Sequence, residues 1–299
     1  MNRRDALAML AAGATLARAW PALGQQAEGN VQPKVVRKGR IKQGLWKTTF
    51  GEDSKLTFDE MCREAARLGA HGFDLIEPAE WPTLRKYGLK PLLAGAGPVT
   101  FDNGIIHAEV HDDLEKALRP YIDSVAAEGV RTIISIGGKR RGMEYERAAD
   151  NAVAFLNRVK HQLEDKNVVL AVENMNNRRT DPRFGREDQV FGHWDWGTGV
   201  CERVNSPNVK IVCDLYHLQI MDGDVAEHLR KSIQWIAHFH TAGIPQRNEI
   251  NGTQELNYRF IADVIASLPY TGYVSHEWRP APGRDALKSI AECMDIMDV

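Results

Sequence analysis

The sequence predicts the α/β class and, within it, a (β/α)8 TIM barrel forming a single domain. Eight strand-length apolar runs, amphipathic helical stretches between them, and roughly 260 residues to hold both predict it. The runs are Ile41 to Trp46, Gly72 to Ile76, Pro91 to Ala96, Arg131 to Gly137, Val168 to Glu173, Val209 to Asp214, Ile236 to Thr241 and Gly272 to Glu277. Several are almost unbroken Val, Ile and Leu, the pattern of parallel strands buried on both faces. After the first run, Thr57 and Glu60 stand three apart as a capping box. Phe58, Met61, Cys62, Ala65 and Leu68 then share one helical face, and Gly69 closes the helix. Asp112 to Glu128 places Leu114, Leu118, Tyr121, Ile122 and Val125 at helical spacing. Glu144 to Glu164, Val225 to Gln234, Tyr258 to Leu268 and Asp285 to Met297 read the same way, while Ala79 to Tyr87 and Gly197 to Asn205 are shorter. A doubly wound sheet is the competing architecture, but no GxGxxG follows the first run. The glycines of "SIGGKRRG" at 135–142 read as a solvated turn in preference to an anion cradle.

The 299 residues are 43% apolar and 26% charged, ordinary for a soluble globular chain, and a net charge of −2 does not point to a nucleic-acid partner. Residues 1–24 read as an export signal of the twin-arginine type. It comprises Arg3-Arg4, an apolar run from Ala6 to Ala17, and the small-x-small Ala17-Arg18-Ala19. That run is too short for a stable membrane anchor. Residues 25–38 read as a polar linker and residues 39–299 as the barrel; the expected location is periplasmic or exported. Cys62, Cys201, Cys213 and Cys293 lack CxxC spacing, so no structural zinc site is expected and the thiols are taken as free and buried. A homo-oligomer is left open.

The chemistry lies at the run ends. The fifth to eighth runs end on Glu173, Asp214, His240 and Glu277. In a barrel those ends are neighbours at the active-site face, so four side chains at one level converge. Three carboxylates and an imidazole form a mixed O/N set for one divalent metal, Mn²⁺, Mg²⁺, Co²⁺ or Zn²⁺. Without a cation, three buried carboxylates could not all stay ionised. His238, two before His240, is expected one layer deeper, and His276 is expected to face away from the interior. Trp46, Trp194, Trp196 and Trp278 offer an apolar wall or core packing. The connection from Met175 to Trp196 is long enough to be a lid.

"CDLYHLQIMDGD" from Cys213, "HFHTAGIPQRNEINGTQELNY" from His238 and "GYVSHEW" from Gly272 resemble segments of the hydroxypyruvate isomerase family, within the xylose isomerase-like barrels. The resemblance covers Lys42 to the C-terminus. It implies that Glu173, Asp214, His240 and Glu277 bind the metal, that Glu173 and Glu277 also move protons, and that His217 and Arg247 contact substrate. Glu249, beside Arg247 in the same loop, is placed with them. The chain departs from the family in having His240 where Gln is frequent, and Glu249-Ile250 where Glu-Pro is usual.

The reaction expected is a metal-dependent isomerisation or epimerisation of a small hydroxy-carbonyl compound or sugar through an enediolate, with the two glutamates as acid and base. The same barrel could serve a metal-dependent sugar lyase or a phosphodiesterase-type hydrolase. Ten histidines and a balanced charge argue against the hydrolase. A non-catalytic exported sugar-binding protein is the third reading, and an intact four-ligand set argues against it.

Overall fold

The computed structural model describes residues 33–179 and 188–299, and Lys34–Val299 forms one compact unit. The leader and most of the polar segment fall on residues 1–32, outside the described residues, as does 180–187 within the long connection. Eight parallel strands follow in sequence: β1 (Lys42–Leu45), β2 (Gly72–Asp74), β3 (Lys90–Leu93), β4 (Thr132–Ile136), β5 (Val169–Glu173), β6 (Val209–Asp214), β7 (Ile236–Thr241) and β8 (Tyr273–His276). Their hydrogen-bonded order is β3-β2-β1-β8-β7-β6-β5-β4. Ala94 joins the two ends: its N–H donates to Thr132 O at 2.9 Å and its carbonyl accepts from Ile134 N at 3.0 Å. The sheet thereby closes into the expected barrel.

Helices cover the outside: α1 (Phe58–Arg67), α2 (Trp81–Lys86), α3 (His111–Ala127), α4 (Tyr145–Lys166), α5 (Trp194–Val204), α6 (Leu215–Met221), α7 (Val225–Ser232), α8 (Tyr258–Ser267) and α9 (Ala286–Ile296). The capping box forms, with Thr57 N donating to Glu60 Oε2 at 2.7 Å and Glu60 N to Thr57 Oγ1 at 3.3 Å. The sequence reading missed α6, which follows β6 directly and at seven residues is too short to show a helical period. Ahead of β1, Val35 N donates to Arg67 O and Arg37 Nε to Leu68 O, which ties the end of the polar segment to α1.

Two apolar clusters result. The large one fills the shell between strands and helices, with Phe73, Phe155, Phe239 and Ile290 among its members. The small one, Leu93, Ile134, Ala171 and Val212, includes residues two back from Ile136, Glu173 and Asp214 and hence on the same strand face. It forms a layer beneath the site. All four cysteines are free and buried. No helix among the described residues is long and apolar enough to cross a membrane.

Strand register refines the expectation of four tips at one level. Val212 stands opposite Glu173, His240 opposite Asp214, and Ser275 opposite His240. Asp214 is thus two residues beyond the level of Glu173, and Glu277 two beyond that of His240. Offsets of two keep the same face of the sheet. The stagger of a closed barrel therefore leaves all four turned inward.

Candidate metal and substrate site

Each of Glu173, Asp214, His240 and Glu277 is buried, and each offers a donor atom within 4.8 Å of the other three. His240 Nδ1 lies 2.9 Å from Glu173 Oε1 and 2.9 Å from Glu277 Oε2. One ring hydrogen cannot serve both. The hydrogen-bond geometry is met at Glu173, and Glu277 Oε2 is left buried without a hydrogen-bond partner. Asp214 divides its carboxylate: Oδ1 accepts from Tyr216 N at 2.8 Å and caps α6, while Oδ2 accepts from Arg247 Nη2 at 2.9 Å. The same Arg247 nitrogen lies 2.8 Å from Glu277 Oε1.

The charges respond to this crowding. Burial raises the Glu173 carboxyl above its ordinary value, and the charge of Glu277 adds to it against the His240 hydrogen bond. Burial pushes Asp214 up to about 7, with Arg247 opposing. At Glu277 burial is outweighed by Arg247 and His240, so its carboxyl is held well below the usual range. His240 is driven well above an ordinary histidine despite burial, by Glu277 and by hydrogen bonds to Asp74 and Glu173. A cation at this point would relieve the mutual repulsion. The O/N donor set and the orphaned Glu277 oxygen both fit a divalent metal.

The asparagines crowded behind Glu173 position this cluster. Asn174 clamps the end of β6, with Nδ2 donating to Asp214 O at 3.1 Å and Oδ1 accepting from Asp214 N at 2.8 Å. Asn176 Nδ2 is 2.7 Å from His217 Nδ1 and so donates to it. His217 Nε2 stands between Asp214 Oδ2 at 3.2 Å and Arg247 Nη1 at 3.3 Å. Arg247 is held over the site by its loop. Gly243 N donates to Asn248 O, Arg247 N donates to Gly243 O, and Arg247 itself adopts a φ of 60°. A Cβ on Gly243 would stand 2.2 Å from Glu249 O, so the fold-back needs glycine there.

The cluster lies in a cavity of about 770 Å³. Glu173, His217, His240, Arg247 and Glu277 line one side; Leu75, Ala96, Val99, Phe101, Ile134 and Ile136 line the other. Trp46 is on the wall, whereas Trp194 and Trp278 are core residues. His276 is buried outside the cavity, with Nε2 to Gln43 and Nδ1 to Thr241, and burial pulls it down to about 3.

Glu249 corrects the sequence reading. Its carboxylate accepts from Ala281 N, Ser289 Oγ and Arg284 Nε, so it braces the loop after β8 and does not line the cavity. Adjacency to Arg247 was misleading because the turn at Arg247 sends the two side chains apart. Asp74, on β2, was missed. Its Oδ2 lies 2.7 Å from His238 Nε2 and 3.1 Å from His240 Nε2, and these three form a second buried group of metal-competent side chains. The signal was present: β2 also ends on a carboxylate, but the apolar run was carried on to Ile76.

A parallel barrel with a buried carboxylate–histidine cluster at its carboxyl face defines the class. The chain belongs to the xylose isomerase-like TIM barrel family, whose description matches residues 62–296. It is 35% identical over 119 residues to the 2-oxo-tetronate isomerase of Cupriavidus necator, covering 40% of this chain and 43% of that one. It is 24% identical over 258 residues to the putative hydroxypyruvate isomerase of Homo sapiens, covering 77% and 89%. The match thus spans less than half of the Cupriavidus relative. Among solved structures, an AP endonuclease of family 2 from Brucella melitensis superposes with a TM-score of 0.74 at 23% identity, covering 85% of this chain and 98% of that one. IOLI protein with a bound zinc atom gives 0.67 at 15%, covering 86% and 98%. The relatives also correct the expectation of an exported or periplasmic protein. They include human and other enzymes, and nothing they share assigns a compartment to this chain.

Proposed function

We propose that the chain is an isomerase of small hydroxy-carbonyl compounds, of the kind the names of its hydroxypyruvate and 2-oxo-tetronate isomerase relatives describe. The single observation that carries the reading is the convergence of Glu173, Asp214, His240 and Glu277 on one buried point beside a substrate-sized cavity. Those four would hold one divalent metal. When bound, it would supply Lewis-acid polarisation of a carbonyl oxygen, which acidifies the neighbouring C–H.

Both glutamates stand at the wall of the cavity, each with an oxygen 2.9 Å from His240 Nδ1, where a carboxylate can exchange a proton with a bound carbon acid. Glu277, kept ionised between Arg247 and His240, takes the proton from the hydroxyl-bearing carbon next to the carbonyl. Glu173 returns a proton, drawn from solvent, to the former carbonyl carbon, and Glu277 releases the one it took. His217, fixed by Asn176 and lining the cavity, contacts the substrate oxygens, between which the hydroxyl proton passes. Arg247 pairs with a substrate oxygen or carboxylate while anchored on Asp214 and Glu277. The apolar wall excludes water and strengthens each of these interactions.

The test is proton exchange. Mn²⁺-supplemented protein in deuterated water should incorporate deuterium into hydroxypyruvate or a four-carbon 2-oxo acid, read by NMR. Glu277→Gln should abolish incorporation with the fold intact. Absence of exchange in the wild-type protein with both substrates contradicts the proposal.

A further inference from the structure

Asp74 is the point where the β1–β4 half of the barrel touches the donor cluster. It is 1% exposed, and His238 and His240 are as deeply buried. β2 is separated from β7 by β1 and β8, so the contacts of Asp74 with the two histidines cross the barrel interior and owe nothing to strand pairing. An ionised carboxylate only accepts hydrogen bonds. Asp74 Oδ2 therefore takes an N–H from Nε2 of each ring, at 2.7 Å and 3.1 Å. Ser275 Oγ, 3.2 Å from His238 Nε2, completes the layer.

The consequence falls on the other nitrogen of His240. Without a cation the ring can hold both hydrogens, Nδ1–H toward Glu173 and Nε2–H toward Asp74; as a metal ligand it is neutral and carries one. If it sits on Nε2, Nδ1 faces Glu173 and Glu277 with a lone pair. If it sits on Nδ1, an N–H points at those oxygens and the cluster closes on itself as a hydrogen-bonded knot.

We propose that Asp74 is a positioning residue that decides between these two states: by accepting from His240 Nε2 across the barrel, it fixes the tautomer and ring plane in which Nδ1 is a metal ligand. The proposal rests on the reading of the four tip residues as a metal site. His238 shares the same Asp74 oxygen but does not address the cation itself.

Mn²⁺ titration by calorimetry, with circular dichroism as the check on folding, compares wild type, Asp74→Asn and His238→Gln. Asp74→Asn should bind Mn²⁺ about 10- to 100-fold more weakly, while His238→Gln should stay within about threefold. Equal affinity in wild type and Asp74→Asn overturns the proposal and leaves the metal site standing. Equal weakening in both variants also overturns it, since the layer would then act only by packing. A direct readout needs no variant. In the Zn²⁺-loaded wild-type protein, ¹⁵N NMR of the His240 ring should show Nε2 protonated and Nδ1 bound to metal. The reverse assignment refutes the positioning role even if Asp74→Asn fails to fold. Failure of the wild-type protein to bind either ion refutes the metal site itself, and this inference with it.

Discussion

At the carboxyl ends of β5–β8 the inward side chains are Glu173, Asp214, His240 and Glu277; around the ends of β2–β4 they are Leu75, Ala96, Ile134 and Ile136. The change occurs between adjacent strands, since Ile136 stands directly opposite Glu173. Both halves are built on the same parallel, two-sided strand pattern, and both pack on the same apolar layer. What differs is where the desolvation of the polar residues is balanced. The β5–β8 half crowds charges that need a cation or each other. The β1–β4 half supplies a largely apolar wall, with Glu77 its charged exception. Asp74 crosses the divide: it rises from the apolar half and ends on the histidines of the other.

The sharpest way to break this contrast is in the charged half. Glu277→Gln keeps size and shape but removes the proposed base, and turnover should fall about 10²- to 10⁴-fold with an unchanged circular dichroism spectrum. Next comes Gly243→Ala. The added methyl meets Glu249 O, the loop opens, and Arg247 leaves Asp214 and Glu277. A loss of about 100-fold in kcat/KM is expected, visible in steady-state kinetics, without loss of the barrel. In the apolar half the effect should change kind. Ile136→Ala should lower unfolding free energy by about 2 to 4 kcal/mol in urea, while kcat moves by less than about tenfold.

The smallest effect is a pH dependence. Glu173 and Asp214 have raised values in the folded protein, Asp214 to about 7. The native state then holds protons that the unfolded chain has already released. Stability of the metal-free protein from these two groups is full below the ordinary carboxylate value and is lost as pH rises toward 7. A Mn²⁺ ion held by these carboxylates would take the place of those protons. The rise in Tm on adding saturating Mn²⁺ should therefore grow from pH 5 to pH 8, measured by differential scanning calorimetry. A gain that is flat or shrinks over that range would mean that the carboxylates are not the ligands.

The strands and the four tips were legible in the sequence because a buried strand that stops on a charge breaks its own pattern, and it does so four times in a row. Asp74 was not, because Leu75 and Ile76 continue the apolar run. Leu75 takes a left-handed φ of 55°, which ends β2 at Asp74, two residues before the end of the apolar run, and a linear pattern cannot show that. The roles of Asn174 and Asn176 were hidden for a related reason: their partners, Asp214 and His217, are some forty residues away in sequence and meet them only once β5 and β6 pair. Glu249 shows the opposite error, in which nearness along the chain stood in for nearness in space.

The central claim is that the tips of β5–β8 share one divalent cation. Anomalous diffraction from crystals grown with Mn²⁺ tests it most directly. A single strong peak is expected within bonding distance of Glu173, Asp214, His240 Nδ1 and Glu277. A cavity without a peak, or a manganese ion bound away from these four side chains, would contradict it.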